Sequence, residues 1–265
     1  MNPFDLTGRV ALVTGAGSPT GIGFATARLL GSMGARVVVA GTTDRIRDRA
    51  TALRGSSIDA IHVQGDLSLP ADARRIALAG AEHWGRLDIV VNNAGMVSEA
   101  SPDFESGSII DMSLDTWHAS LRRNLDTAFL VSGFAAPLLA AQGWGRIVMV
   151  SSTTGPVMAM TGDVGYAAAK AGLIGLVRAA ALDLAGKGTT VNAVAPGWIG
   201  TGSQTDDERL QGLATPLARS GTADEVASAI AWLCTPGASY VTGQCLIVDG
   251  GNSIAEQRAA STVWA

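Results

Sequence analysis

The 265-residue chain predicts a doubly wound α/β fold, a seven-stranded parallel sheet with helices on both faces, and three features of the sequence carry that prediction. Short β-branched runs alternate with longer helical patterns almost from end to end. Several runs, at 37–39, 89–91 and 147–150, are continuously apolar, as strands covered on both faces must be. A glycine-rich turn (Gly15, Gly17, Gly21, Gly23) joins the first run to the first helical pattern. Such alternation implies right-handed βαβ units. Their ligands lie beyond the carboxyl ends of the strands, where the strand order reverses.

The runs predict strands over 10–14, 36–40, 60–64, 87–92, 146–151, 190–195 and 246–249, with helices over 21–33, 44–53, 71–84, 114–141, 164–185 and 223–234. No internal repeat or interdomain linker divides the chain, so residues 1–265 are expected to form one domain. Two long connections, 96–113 and 198–217, stand at strand ends, where loops often cover a substrate. The tail, 252–265, is polar.

Composition narrows the function classes. A formal net charge of −4 speaks against nucleic-acid binding. No uninterrupted apolar run approaches bilayer length, and the first seven residues lack the charged and apolar regions of a signal peptide. Cys234 and Cys245 form no metal or disulfide spacing, and His62, His83 and His118 share none either. A soluble protein of a reducing, cytoplasmic compartment, without bound metal, is expected. Of the 19 cationic residues only Lys170 and Lys187 are lysines. A lysine is therefore notable here, since ammonium and guanidinium are not equivalent.

The turn after the first strand reads Thr14-Gly15-Ala16-Gly17-Ser18-Pro19-Thr20-Gly21-Ile22-Gly23. Glycines there let the backbone approach a pyrophosphate, whose charge the following helix N-terminus stabilises. Such a turn is weak evidence alone, because many strand–helix turns need glycine for conformation only. Its place between a strand and a helix strengthens it. Further along, Tyr166 and Lys170 are four residues apart and share a helix face.

Together these residues resemble the short-chain dehydrogenase/reductase family. The segment from Thr14-Gly15 to Gly21-Ile22-Gly23 is similar to its TGxxxGxG signature, with two additional residues. Asn92-Asn93-Ala94-Gly95 matches its NNAG element, Tyr166 to Lys170 its YxxxK pair, and Pro196-Gly197 its PG motif. Ser152 follows the fifth strand, Asn124 stands in the connection before it, and Val248-Asp249-Gly250-Gly251 resembles the usual ending. The resemblance covers roughly residues 5 to 251 and is nearest to the 3-oxoacyl-acyl-carrier-protein reductases and related carbonyl reductases. It implies a single-domain Rossmann fold, a nicotinamide dinucleotide cofactor, a tetramer, and Ser152, Tyr166, Lys170 and Asn124 as catalytic residues. It further implies that Lys170 hydrogen-bonds the nicotinamide ribose and that Asn124 holds a water on the proton path. By family position Gly15, Gly17, Ser18, Gly21, Ile22, Gly23, Asn93, Ala94, Gly95, Tyr166, Lys170, Pro196, Gly197, Ile199 and Thr201 line the cofactor. Asp66 and Leu67 bracket its adenine.

The chemistry accounts for the residue types. Reducing a ketone leaves an alkoxide that needs a proton, and a tyrosine titrating near ~10 is a poor partner near neutrality. A nearby cation is expected to lower that value, and a serine hydroxyl stabilises charge on the substrate oxygen. Ser151 competes with Ser152 for this role, and the resemblance favours Ser152, because Gly155 follows it by three positions as in the family's pattern. For the cofactor, the second strand ends Ala40-Gly41-Thr42-Thr43-Asp44-Arg45, without the acidic residue that would repel a 2′-phosphate. Thr42 and Thr43, with Arg45 or Arg47, suit that phosphate, which favours NADP over NAD. Alternatively, Thr42 closes a turn and Asp44 caps the next helix.

By family position Met96, Val97, Met158, Met160 and Trp198 face the substrate, an apolar and adaptable set. A small carbonyl or alcohol is expected, hydrophobic or a 3-oxoacyl group. A polyol- or steroid-type alcohol dehydrogenase of the same family is the nearer alternative. A non-catalytic dinucleotide sensor or scaffold is the more distant one. The helix over 166–185 is apolar on almost every side, so a subunit partner is expected to cover what the sheet does not.

Overall fold

In the computed structural model, which describes residues 2–95 and 105–256, the β-branched runs form seven parallel strands. They are β1 (Val10–Val13), β2 (Arg36–Gly41), β3 (Ala60–Gln64), β4 (Ile89–Asn92), β5 (Gly145–Val150), β6 (Thr189–Pro196) and β7 (Cys245–Val248). Their order across the sheet is β3-β2-β1-β4-β5-β6-β7, all parallel. The order reverses between β1 and β4, which pair through Ala11–Ile89, Leu12–Val90 and Val13–Val91. The expected doubly wound fold is what forms, with strand ends differing by one or two residues.

The helices are α1 (Ile22–Ser32), α2 (Arg45–Gly55), α3 (Pro70–Trp84), α4 (Leu114–Leu121), α5 (Thr127–Gln142), α6 (Val164–Ala185), α7 (Asp206–Leu213) and α8 (Ala223–Leu233). Alternate residues of one strand serve opposite layers, because successive side chains point to opposite faces. Val37 and Val39 meet α1, α2 and α8 through Leu30, Ile46, Leu53 and Ile230. Val38 and Ala40 join the layer of α3, α5 and α6 with Ile76, Val131, Leu139 and Val177. Each fully buried valine, leucine or isoleucine contributes roughly 1.5–3 kcal/mol. The continuously apolar strands thus fix both layers at once.

Two expectations need correction. The helix expected over 114–141 is interrupted by a π-helical turn, Arg122–Asp126, between α4 and α5. A 3.6-residue pattern does not register one extra residue in a turn. The continuous Leu114–Gln142 stretch is also long and apolar enough, by length and composition, to cross a bilayer, with a hydropathy of 1.3. Here Val131, Ala135 and Leu139 are buried against the sheet, as in a core helix. The second correction is α7, which forms inside the connection expected to be loop. Thr205 and Glu208 cap it reciprocally, Thr205 accepting from the Glu208 amide at 3.2 Å and Glu208 from the Thr205 amide at 2.7 Å.

Candidate functional site at the switch point

The carboxyl end of β1 turns sharply into α1. Gly15 adopts φ +66°, and a β-carbon there would lie 2.8 Å from the Ala94 Cα, so only glycine fits. At Gly23 a β-carbon would meet the Asn93 side chain at 2.5 Å and the Gly15 carbonyl at 2.6 Å. The NNAG segment is thereby stitched to the turn. Asn93 donates to the Thr14 and Gly15 carbonyls at 3.1 and 3.0 Å, and Thr14 Oγ1 accepts from the Asn93 and Ala94 amides, both at 3.1 Å. Gly17 faces open space. No side chain caps α1 at Gly21, and its first turn carries no acid. Free amides, a glycine cradle and a positive helix end fit a pyrophosphate. Ser18 and Ile22 flank this cradle, and Thr20 Oγ1 accepts from the Gly202 amide at 2.9 Å, tying the turn to the 198–205 segment.

Across the switch point, β5 delivers Ser151 and Ser152 and α6 delivers Tyr166 and Lys170. Ser151 Oγ donates to the Lys170 carbonyl at 2.9 Å, and Lys170 Nζ donates to the Val150 carbonyl at 3.1 Å. The two serines thus differ in their contacts. Ser151 is a structural clamp, whereas Ser152 is hydrogen-bonded to the Tyr166 hydroxyl and accepts from the Thr154 amide at 3.1 Å. Gly155 serves the same packing: at φ +102° its missing side chain leaves room for the Ala167 carbonyl, 2.3 Å from where a β-carbon would stand. The π-helical turn presents Asn124, buried, with its amide donating to the Ser120 carbonyl at 3.2 Å. A β-carbon on Gly95 would lie 2.9 Å from Asn124 Oδ1 and 3.2 Å from Lys170 Nζ. Ser152, Tyr166, Lys170 and Asn124 therefore converge where the NNAG strand ends.

The expected effect of Lys170 on the phenol is not what this arrangement produces. Burial pushes Tyr166 up to about 12, against the hydrogen bond from Ser152, which pulls it down. Lys170 lies 5.4 Å from the centre of the Tyr166 ring and turns its ammonium to a backbone carbonyl; burial pushes it down to about 8. Desolvation outweighs pairing because both groups are in a dry site.

The remaining predicted residues scatter around this centre. At the end of β2, Arg45 Nε donates to Thr43 Oγ1 at 3.3 Å and Thr42 is exposed. Asp44 makes no capping bond to α2 and pairs instead with Arg47 at 3.1 Å, which removes the helix-cap alternative. Asp66 accepts from the Ser68 amide at 2.9 Å, beside buried Leu67. The Pro196 carbonyl accepts from the Thr153 amide, and Gly197 donates to Val248, both at 2.9 Å; Ile199 bridges to Gly221, and Thr201 Oγ1 hydrogen-bonds Ser203 at 3.0 Å. Met158 Sδ receives a bond from Asn252 at 3.7 Å, and Met160 is half exposed. Trp198 lines a small cavity with Leu217, Arg219 and Asp249; neither Ser152 nor Tyr166 borders that cavity. Met96 and Val97 lie outside the described residues. Two acidic residues went unread in the sequence, Asp163 and Glu208, whose charges both act to raise the Tyr166 phenol.

The family profile described as enoyl-(acyl carrier protein) reductase matches residues 15–253. The 3-oxoacyl-[acyl-carrier-protein] reductase of Synechocystis is 38% identical, over 93% of this chain and 97% of its own. A cis-4-hydroxycyclohexanecarboxylate dehydrogenase of Sinomonas cyclohexanicum is 37% identical, over 92% of this chain and 96% of its own. A crystal structure from Beutenbergia cavernae, provisionally named an NAD(P)-dependent gluconate 5-dehydrogenase and holding NADP at low occupancy, superposes with a TM-score of 0.86 at 35% identity. It covers 96% of this chain and 100% of its own.

Because a side chain at Gly155 would collide with α6, Gly155→Ala is expected to lower stability by about 2 kcal/mol and to separate Ser152 from Tyr166. Urea denaturation checks the first effect. An unchanged midpoint would mean that the loop yields without cost.

Proposed function

The chain belongs to the short-chain dehydrogenase/reductase family, and on that premise we propose that it interconverts a ketone and a secondary alcohol on a largely apolar substrate, a 3-oxoacyl group among the candidates. As a member of that family it is an NAD(P)-dependent oxidoreductase acting on a small molecule. The observation that carries the proposal is the Tyr166–Ser152 hydrogen bond beside buried Lys170, at the point where the strand order reverses.

A bound nicotinamide dinucleotide supplies or accepts the hydride. In the reducing direction the Tyr166 hydroxyl donates its proton to the substrate oxygen, and Ser152 Oγ–H holds that oxygen while negative charge develops. Lys170 holds its ammonium at the Val150 carbonyl, 5.4 Å from the centre of the Tyr166 ring, and so keeps a positive charge near the proton path. Asn124, flanking Gly95 together with Lys170, continues the polar path away from the cleft. Exposed Val157, Met160, Leu210 and Leu213 on the surrounding segments suit an apolar substrate.

NADP is the preferred cofactor in this reading. Gly41 leaves no carboxylate at the end of β2, and the Thr43–Arg45 pair offers a hydroxyl and a cation to a 2′-phosphate. A homotetramer accords with the outward Phe129 of α5 and Leu182 of α6, and with exposed Trp232, Tyr240 and Leu246 near β7. The two free cysteines accord with a cytoplasmic location.

Four measurements test this. Tyr166→Phe is expected to bind the dinucleotide with unchanged affinity yet lose at least ~10³-fold in kcat; retained turnover would remove Tyr166 from the chemistry. In the wild type, ketone reduction needs the phenol protonated and Lys170 charged, whereas alcohol oxidation needs the phenolate. With Lys170 near 8 and Tyr166 near 12, reduction should be level below pH 7 and fall above pH ~8, while oxidation rises across the same interval. Higher kcat/KM with NADPH than with NADH is expected, the reverse ratio assigning NAD. Light scattering should report four chains, and a monomer would sink the assembly reading.

A further inference from the structure

Asp163 leads α6, three residues before Tyr166 and seven before Lys170, a spacing that sets the three on one side of the helix. It is 7% exposed, and its Oδ1 has no hydrogen-bond partner among the described residues. An aspartate in this position ordinarily caps its helix. This one makes no capping bond, whereas Ser113, Thr205 and Thr222 cap α4, α7 and α8. The backbone around Asp163 has another task. It bridges to Gly107, the Gly107 amide donates to the Gly162 carbonyl at 2.9 Å, and Met112 packs over Gly107 and Gly165. The carboxyl is thus held in a fixed, dry place beside the reacting phenol. Its charge raises the Tyr166 phenol, and burial raises Asp163 itself.

A buried carboxyl oxygen without a partner is unfavourable, and natural folds rarely keep one. Packing does not require it, since an apolar side chain of equal size would fill the same space without that penalty. Asp163 stands three residues before Tyr166, on the same side of the first turn of α6. Resting on the oxidoreductase reading above, we propose that Asp163 selects the substrate: its Oδ1 accepts a hydrogen bond from a hydroxyl or amide N–H carried near the reacting carbonyl, and it turns away substrates with a carboxylate in that position. The substrate class so defined is a ketone with an apolar body, one neutral donor group and no nearby anion.

The test compares three ketones on one carbon frame: cyclohexanone, 4-hydroxycyclohexanone and 4-oxocyclohexanecarboxylate. In the wild type, with saturating NADPH or NADH, kcat/KM is expected to be highest for the hydroxy ketone and lowest for the carboxylate. Asp163→Leu should cut the ratio of hydroxy ketone to cyclohexanone about tenfold, chiefly through KM. Asp163→Asn, which keeps the shape and adds N–H donors, should raise the ratio of carboxylate to cyclohexanone about tenfold. Ratios cancel any loss of folded protein common to all three substrates. If both variants leave both ratios unchanged, or alter only the pH profile, Asp163 is not a selecting residue. If the wild type reduces none of the ketones, the oxidoreductase reading has failed. Saturation-transfer NMR of 4-hydroxycyclohexanone on the dinucleotide-loaded protein then tests Asp163 by itself. Binding that weakens in Asp163→Leu supports selection, and equal or absent binding in both proteins overturns it.

Discussion

A reciprocal clamp joins the end of β5 to α6, and the arrangement of the site depends on it. Lys170 reaches down to the Val150 carbonyl while Ser151 reaches up to the Lys170 carbonyl. An ammonium buried this deeply must be met by acceptors, so the helix has little freedom to rotate or slide on the strand. Once that contact is fixed, Tyr166 one turn earlier stands over the residue that follows Ser151. The pairing of phenol and hydroxyl is therefore inherited from the clamp. Thr153, bonded to the Pro196 carbonyl, closes the same corner from β6.

Much of this was legible in the chain, because the signals were local or periodic. Continuous apolar runs are what a two-sided parallel sheet requires, and their alternation with helical patterns implied right-handed βαβ units, whereas the order across the sheet came from the fold. The glycines of the first turn were read as letting the backbone approach a ligand, and Gly15 and Gly23 prove to be close approaches to the NNAG segment as well; Gly155, noted only for its place after Ser152, is a third close approach. Ser152 and Ser151 could not be separated by type. Only the direction of each hydroxyl assigns one to the clamp and the other to the phenol.

What was not legible depends on distance and dielectric. The sequence places a lysine one turn from a tyrosine, and the simplest electrostatics makes that phenol acidic. In the fold both groups are desolvated, and burial moves the phenol and the ammonium in the directions that disfavour charge. The π-helical turn escaped for a different reason. One residue more in a turn leaves the apolar pattern on either side intact while rotating everything beyond it, and Asn124 is buried as a result. By contrast α7 was readable: Thr205-Asp206-Asp207-Glu208 is a capping box, obscured by its place in a polar connection.

The bond from the Gly202 amide to Thr20 joins two parts of the chain separated by 182 residues. One end lies in the glycine turn at the head of α1, and the other leads into α7 with its exposed Leu210 and Leu213. The bond anchors the 198–205 segment on the glycine turn, so the place from which α7 starts is set by the same turn that opens α1.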